Sequence, residues 1–179
     1  MSLGIQHRHI VASATDTVTN TTTETAFSKT ISFPAQSLRV GDFVQGFACV
    51  KATSTNSTDT LTCKVYIGPA SDPKTGILVC DQTAIDVADN DVIKLDFNFC
   101  VDAIGAGSTF EVSGGGISYK QGATAVSKTQ ALGSAVDAQA DSFANLVVAV
   151  TATWSAASTS DIARLDALHA IIFPGLVSA

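Results

Sequence analysis

Apolar and polar positions alternate with period two along much of this chain, most clearly over residues 92–101. There Ile93, Leu95, Phe97, Phe99 and Val101 fall on one side, and Lys94, Asp96, Asn98 and Cys100 on the other. A strand with one face in a core and the other in water has this repeat. It recurs in Leu61, Cys63, Val65 and Ile67, and again in Leu146, Val148, Val150, Ala152 and Trp154. Residues 43–67 read as a hairpin, two β-rich arms around the polar tip 54–59. Folding about Asn56 sets Phe47 opposite Val65 and Cys49 opposite Cys63, so one register gathers the larger apolar residues of both arms on one face.

The rest of the chain follows the same grammar. Residues 5–14, 25–33, 77–80 and 109–120 read as further strands, and Pro34 ends the second of these because it cannot donate to a ladder. The β-branched run 18–24 opposes a helix. Turns are expected at 35–42, 68–76 (GPASDPKTG), 86–91 and 105–108. Gly114, Gly115 and Gly116, inside a strand, predict a bulge, a sharp bend or close approach by another backbone. Residues 126–132 read as a strand and 133–142 as a long loop or helical turn. In 162–173, Ile162, Leu165, Leu168, His169 and Ile172 also fit a helical stripe that Ser160-Asp161 would cap, but pairing after a short loop favours a strand. The sum is an all-β chain, expected to be a jelly-roll-like antiparallel β-sandwich of about 8–10 strands. One domain over 1–179 is expected, with 1–14 as an N-terminal strand or arm.

Composition narrows the function more than it names it. Of 179 residues 46% are hydrophobic and 15% charged, against about a quarter charged in an average soluble domain. The net charge is −6 and no basic run occurs, which argues against a phosphate-tracking nucleic-acid surface. Low charge with a mean hydropathy of +0.31 suggests a surface of Ala, Thr, Ser and Gly that subunits can cover at little desolvation cost. No apolar run reaches membrane-spanning length, and the first residues lack the apolar core of a signal peptide. Synthesis in a reducing cytoplasm is therefore expected, with Cys49, Cys63, Cys80 and Cys100 as buried thiols. A Cys49–Cys63 disulfide is the alternative that the hairpin register permits.

Candidate chemistry is sparse. His7 and His9 share a face of one strand and could ligate a metal, but no third ligand is identifiable; His169 lies in an apolar stretch. No Ser or Cys sits in a nucleophile elbow. Asp86, Asp89, Asn90 and Asp91 have oxygen ligands at a spacing a calcium ion could use, yet turn-forming Asx hydrogen bonds explain them more simply. The zinc pattern of closely spaced cysteines is absent. Most of the phenylalanines are expected on inward faces, leaving Tyr66, Tyr119 and Trp154 as the aromatics to test for sugar stacking. No catalytic, cofactor-binding or metal site is assigned, no cofactor is expected, and the chain is expected not to be an enzyme.

Several runs resemble a family of small tailed-phage virion proteins. They are the Thr-rich run 19–25, Leu-Arg-Val-Gly-Asp at 38–42, Asn-Ser-Thr-Asp-Thr-Leu-Thr at 56–62, Val-Ala-Asp-Asn-Asp at 87–91, Val-Thr-Ala-Thr-Trp at 150–154 and Arg-Leu-Asp at 164–166. The likeness spans roughly residues 15–172; the four cysteines and the 68–76 loop depart from the common pattern. The resemblance implies a structural β-sandwich of the virion: a head decoration, head-fibre or tail component, often a homotrimer. The expected partners are copies of itself and the phage major capsid protein, with no nucleic acid and no membrane. A receptor- or glycan-binding module of a head fibre or tail is the alternative.

Overall fold

The structure is a computed structural model. It describes residues 6–11, 16–54, 58–105, 109–120, 126–136 and 145–175, and of these 6–11, 105, 109 and 126–136 by backbone alone. The alternating stretches fold as strands because branched and aromatic side chains pack well on a pleated, half-buried surface. Among the described residues the strands are β1 (Gln6–Val11), β2 (Thr17–Thr19), β3 (Thr25–Phe33), β4 (Phe43–Thr53), β5 (Thr60–Pro69), β6 (Ile77–Asp81), β7 (Ile85–Asp86), β8 (Asp91–Gly105), β9 (Thr109–Lys120), β10 (Val126–Val136), β11 (Leu146–Trp154) and β12 (Ile162–Phe173). β2 and β7 are short pieces that carry the number past the expected eight to ten.

Two antiparallel sheets result, the jelly-roll-like β-sandwich expected from the pattern. The larger runs β1-β12-β4-β8-β9-β10, with β2 on β12; the smaller runs β3-β11-β5-β6, with β7 on β5. Their inner faces share one apolar core, in which Trp154, Phe33, Phe97, Phe99 and Phe110 are the largest fully buried side chains. The inward face of β8 is Ile93, Leu95, Phe97, Phe99 and Val101, as its alternation predicts. Residues 162–173 are a strand, and the strand begun at Val126 continues to Val136 where a loop was expected. Residues 137–142 lie outside the described residues.

The 43–67 hairpin does not form. β4 pairs with β12 and β8 in the larger sheet, whereas β5 pairs with β11, β6 and β7 in the smaller one. Alternation tells which side of a strand is apolar but not whether its neighbour in sequence lies beside it or across the core. Here the two arms belong to different sheets. The face of β4 inverts accordingly: Val44, Gly46, Ala48, Val50 and Ala52 point inward, and Phe47 and Cys49 outward. Small residues suit that inner face because β8 fills the space. A Cβ on Gly46 would lie 2.4 Å from Cζ of Phe97 and 2.2 Å from the His169 carbonyl oxygen.

Cys49 and Cys63 therefore sit on different sheets, and all four cysteines are free. Only Cys63 and Cys80 are buried; Cys49 and Cys100 are half-buried on the outer face, so the expectation of four buried thiols holds for two. The glycine run in β9 marks a close approach. A Cβ on Gly116 would lie 2.5 Å from both Cβ and Sγ of Cys80, on the facing sheet. In the 38–42 turn Gly41 has φ of +88°, a conformation glycine adopts without a Cβ clash. Asp42 then ties that turn together, accepting hydrogen bonds from the backbone N–H groups of Arg39 (2.8 Å) and Gly175 (2.9 Å).

Candidate functional site

The outer faces of the two sheets are treated differently by the chain. On the smaller sheet the central strand β11 is buried on both sides: outward-pointing Val147, Ala149 and Thr151 are covered as completely as the core side. Glu24 anchors this side. Its carboxylate accepts from Lys64 Nζ (3.0 Å) and Thr151 Oγ1 (2.8 Å), while Lys74 Nζ, on the 3₁₀ turn Pro73–Thr75, donates to its backbone oxygen (3.2 Å). Burial would raise the Glu24 carboxyl, but hydrogen bonds from Lys64, Thr151 and Tyr66 outweigh it and hold it below its ordinary 4.5. Burial and the Glu24 contact in turn push the Tyr66 phenol up to about 12.

Among the described residues the larger sheet leaves its outer face open. The strand registers align His169, Phe47, Asp96 and Ile117 in one row across β12, β4, β8 and β9, and Ile171, Gln45, Asn98 and Gly115 in the next. Because Gly115 has no side chain, the surface dips there into a groove of about 750 Å³. Phe47 stacks on His169 with centroids 5.4 Å apart, and Phe43 leans on Phe173 at 6.1 Å. Lys94 Nζ pairs with Asp96 at 2.8 Å and lies 5.4 Å from the ring centres of both Phe47 and Tyr119. Hydrogen bonding to Asp96, then to Tyr119, raises the Lys94 pKa, so this ammonium stays charged. Phe43 and Ile117 are 38% and 41% exposed. The Gln45 and Asn98 amides are also exposed and make no hydrogen bond among the described residues.

This face offers apolar, aromatic and amide groups for contact. No group of three or more His, Cys, Asp or Glu side chains converges among the described residues. β1 sets His9 opposite His169 and His7 opposite Ile171 in register, and the two side chains on β1 lie outside the described residues. The 86–91 loop has its own partners: Asp91 accepts from the Ala88 N–H (2.7 Å) and pairs with Lys120 (2.8 Å). Of the three aromatics singled out for stacking, Trp154 and Tyr66 are buried, at 1% and 8% exposure. Tyr119 alone reaches the groove's rim. Phe43 and Phe47, expected inside, also face outward, as does Phe173, which the pattern assigns to neither side. The inverted reading of β4 hid two of them.

No protein-family model matches the sequence, and no curated protein matches it. Among solved structures it is similar to the winged bean acidic lectin complexed with methyl-α-D-galactose. Identity there is 10% and the TM-score 0.45, over 96% of this chain and 88% of the lectin chain. It is also similar to a chain in the structure of infectious bursal disease virus, Gx strain, at 8% identity and a TM-score of 0.35. That match covers 96% of this chain and 42% of the viral one, so this chain spans less than half of the viral chain's length.

Proposed function

We propose that this chain is a non-enzymatic structural protein of a phage virion, a decoration protein that binds the major capsid protein on the outer surface of the head as a homotrimer. The observation that carries this reading is the open outer face of the larger sheet. The central strand of the smaller sheet is covered on its outer side as well, whereas the larger sheet presents Phe43, Phe47, Ile117, Ile171 and Phe173. Two of its cations carry their own counter-charge, Lys94 with Asp96 and Arg164 with Asp166. This part of the face can therefore meet a copy with less like-charge repulsion than the net charge of −6 implies. The occupant of this face is another copy of this chain, which leaves the remaining surface for the capsid. The virion assignment itself rests on the resemblance of residues 15–172 to small tailed-phage virion proteins.

Mass in solution and immunogold labelling of purified particles test the reading together. A trimer found on heads is the expected result; a monomer absent from the particle overturns it. A second reading, a glycan-binding module, is favoured by one observation: the Gln45 and Asn98 amides beside the bare Gly115 floor, where vicinal hydroxyls could be bound. A glycan array separates the two, since saccharide binding lost in Asn98→Ala supports the second reading and an empty array removes it.

A further inference from the structure

At one end of the sandwich two aspartates from different sheets meet out of contact with water. Asp59 immediately precedes β5 of the smaller sheet and Asp161 immediately precedes β12 of the larger one. They are 3% and 0% exposed. Backbone pairing brings them together. Thr60 and Ser155 hydrogen-bond reciprocally, the Thr60 N–H to Ser155 Oγ (2.8 Å) and the Ser155 N–H to the Thr60 carbonyl (2.9 Å). On the other side Thr53 is the register partner of Ile162. Ser54, itself 5% exposed, donates from Oγ to Asp161 Oδ1 at 2.8 Å.

The side chains of Asp59 and Asp161 lie within hydrogen-bonding reach of each other. Yet Oδ2 of each is buried without any donor. No Lys, Arg or His is among the groups acting on Asp161, which are burial, Ser54 and Asp59 itself. A buried carboxylate without a positive partner is costly, and two in contact are more so. The 86–91 loop shows what the chain does elsewhere, setting Lys120 against Asp91. Among the described residues no Lys, Arg or His is paired with Asp59 or Asp161.

We propose that Asp59 and Asp161 form a binding site for a hard divalent cation, calcium by preference, clamping the start of β5 to the start of β12. Two carboxylates match a charge of +2, whereas one shared proton would leave a net buried negative charge. The ligands are all oxygen, which selects calcium or magnesium over zinc. Calcium–oxygen distances of about 2.3–2.6 Å set neighbouring ligand oxygens roughly 3 Å apart, the spacing of carboxylates in mutual contact. This site lies apart from the outer-face groove and does not depend on the virion reading.

The test uses the whole chain stripped with EDTA and dialysed. Adding calcium chloride is expected to raise the melting midpoint, by roughly 5–10 °C at a calcium concentration one hundred times the dissociation constant. Terbium supplies a second readout, because Trp154 pairs with Leu61, two residues from Asp59, and can sensitise a bound lanthanide. Terbium luminescence that calcium quenches, with both responses lost in Asp59→Asn and Asp161→Asn, establishes the site. Asparagine keeps the shape and removes the repulsion, so both variants are expected to fold. Identical melting with and without calcium or magnesium overturns the proposal, and Asp161→Asn as stable as the parent at neutral pH then assigns a shared proton instead.

Discussion

Gly116→Ala is the sharpest probe of how the two sheets meet. The added methyl would lie 2.5 Å from Cβ and Sγ of Cys80 and 2.8 Å from the Asp96 carbonyl oxygen. Carbon atoms in ordinary contact sit about 3.5–4.0 Å apart, so relief requires about 1 Å of movement. The obstacle is not the far end of a flexible side chain. Cys80 Cβ is fixed to β6, and the Asp96 oxygen belongs to β8, the ladder partner of β9. Overpacking of this kind costs typically 1–3 kcal/mol, and the rigid neighbours place it near the upper figure. Replacing glycine by alanine within a strand returns about 0.5–1 kcal/mol of chain entropy. The net expectation is a loss of about 2 kcal/mol, a fall in melting midpoint of roughly 4–8 °C for a chain of this length. Urea denaturation of the parent, Gly116→Ala, Cys80→Gly and the double variant completes a cycle. The double variant should recover stability relative to Gly116→Ala, because the methyl then occupies the space the thiol left. A Gly116→Ala protein as stable as the parent, or a double variant no better than additive, would refute this packing.

Three further outcomes follow from the same structure. Asp16, 4% exposed, accepts from the Ser28 N–H and hydroxyl and the Lys29 N–H; Asp16→Ala should cost about 2–4 kcal/mol in chemical denaturation by orphaning those donors. For Glu24 and Lys64, the lowered carboxyl contributes stability above its ordinary 4.5 and the raised ammonium below its ordinary 10.5. The stability gap between the parent and Glu24→Gln, about 1 kcal/mol at neutral pH for this partly exposed pair, should close as pH falls below 4.5; a gap that widens in acid contradicts the assignment. Burial pushes the Cys80 thiol up to about 12 and raises Cys63 further, so a thiol reagent should modify Cys49 and Cys100 in the native protein and reach Cys63 and Cys80 only on unfolding, with no Cys49–Cys63 bond under mild oxidation.

The fold class was legible because its cause is local. Leu95, Phe97 and Phe99 alternate with charged and amide neighbours whatever their partners are, so a strand and its inward face could be read from β8 alone. β4 shows the limit of that reading. Phe47 and Cys49 looked like core because they are larger than Gly46 and Ala48, but the inner side needed small residues where Phe97 of β8 intrudes. Size complementarity between non-adjacent strands leaves no mark on either strand by itself. The groove was hidden for the same reason: Gln45, Asn98 and Gly115 are ordinary outward residues until the registers of β4, β8 and β9 set them side by side. Asp59 and Asp161 are far apart in sequence and resembled turn residues. One signal was available, the Gly114-Gly115-Gly116 run, which marked both the groove floor and the approach to Cys80.

The separation of β4 from β5 bears on how the chain folds in time. Neither arm is completed by the other. β4 needs β12, the last strand described, and β5 needs β11, so each sheet takes a central strand from residues 146–173. Such long-range pairings must close large loops before any contact compensates, which places folding in the slow, millisecond-to-second range typical of β-sandwiches. A chain released before Leu146 would hold β3, β4 and β5 with unpaired edges, a state prone to aggregation. Until the final strands arrive, neither sheet can be assembled in its native order.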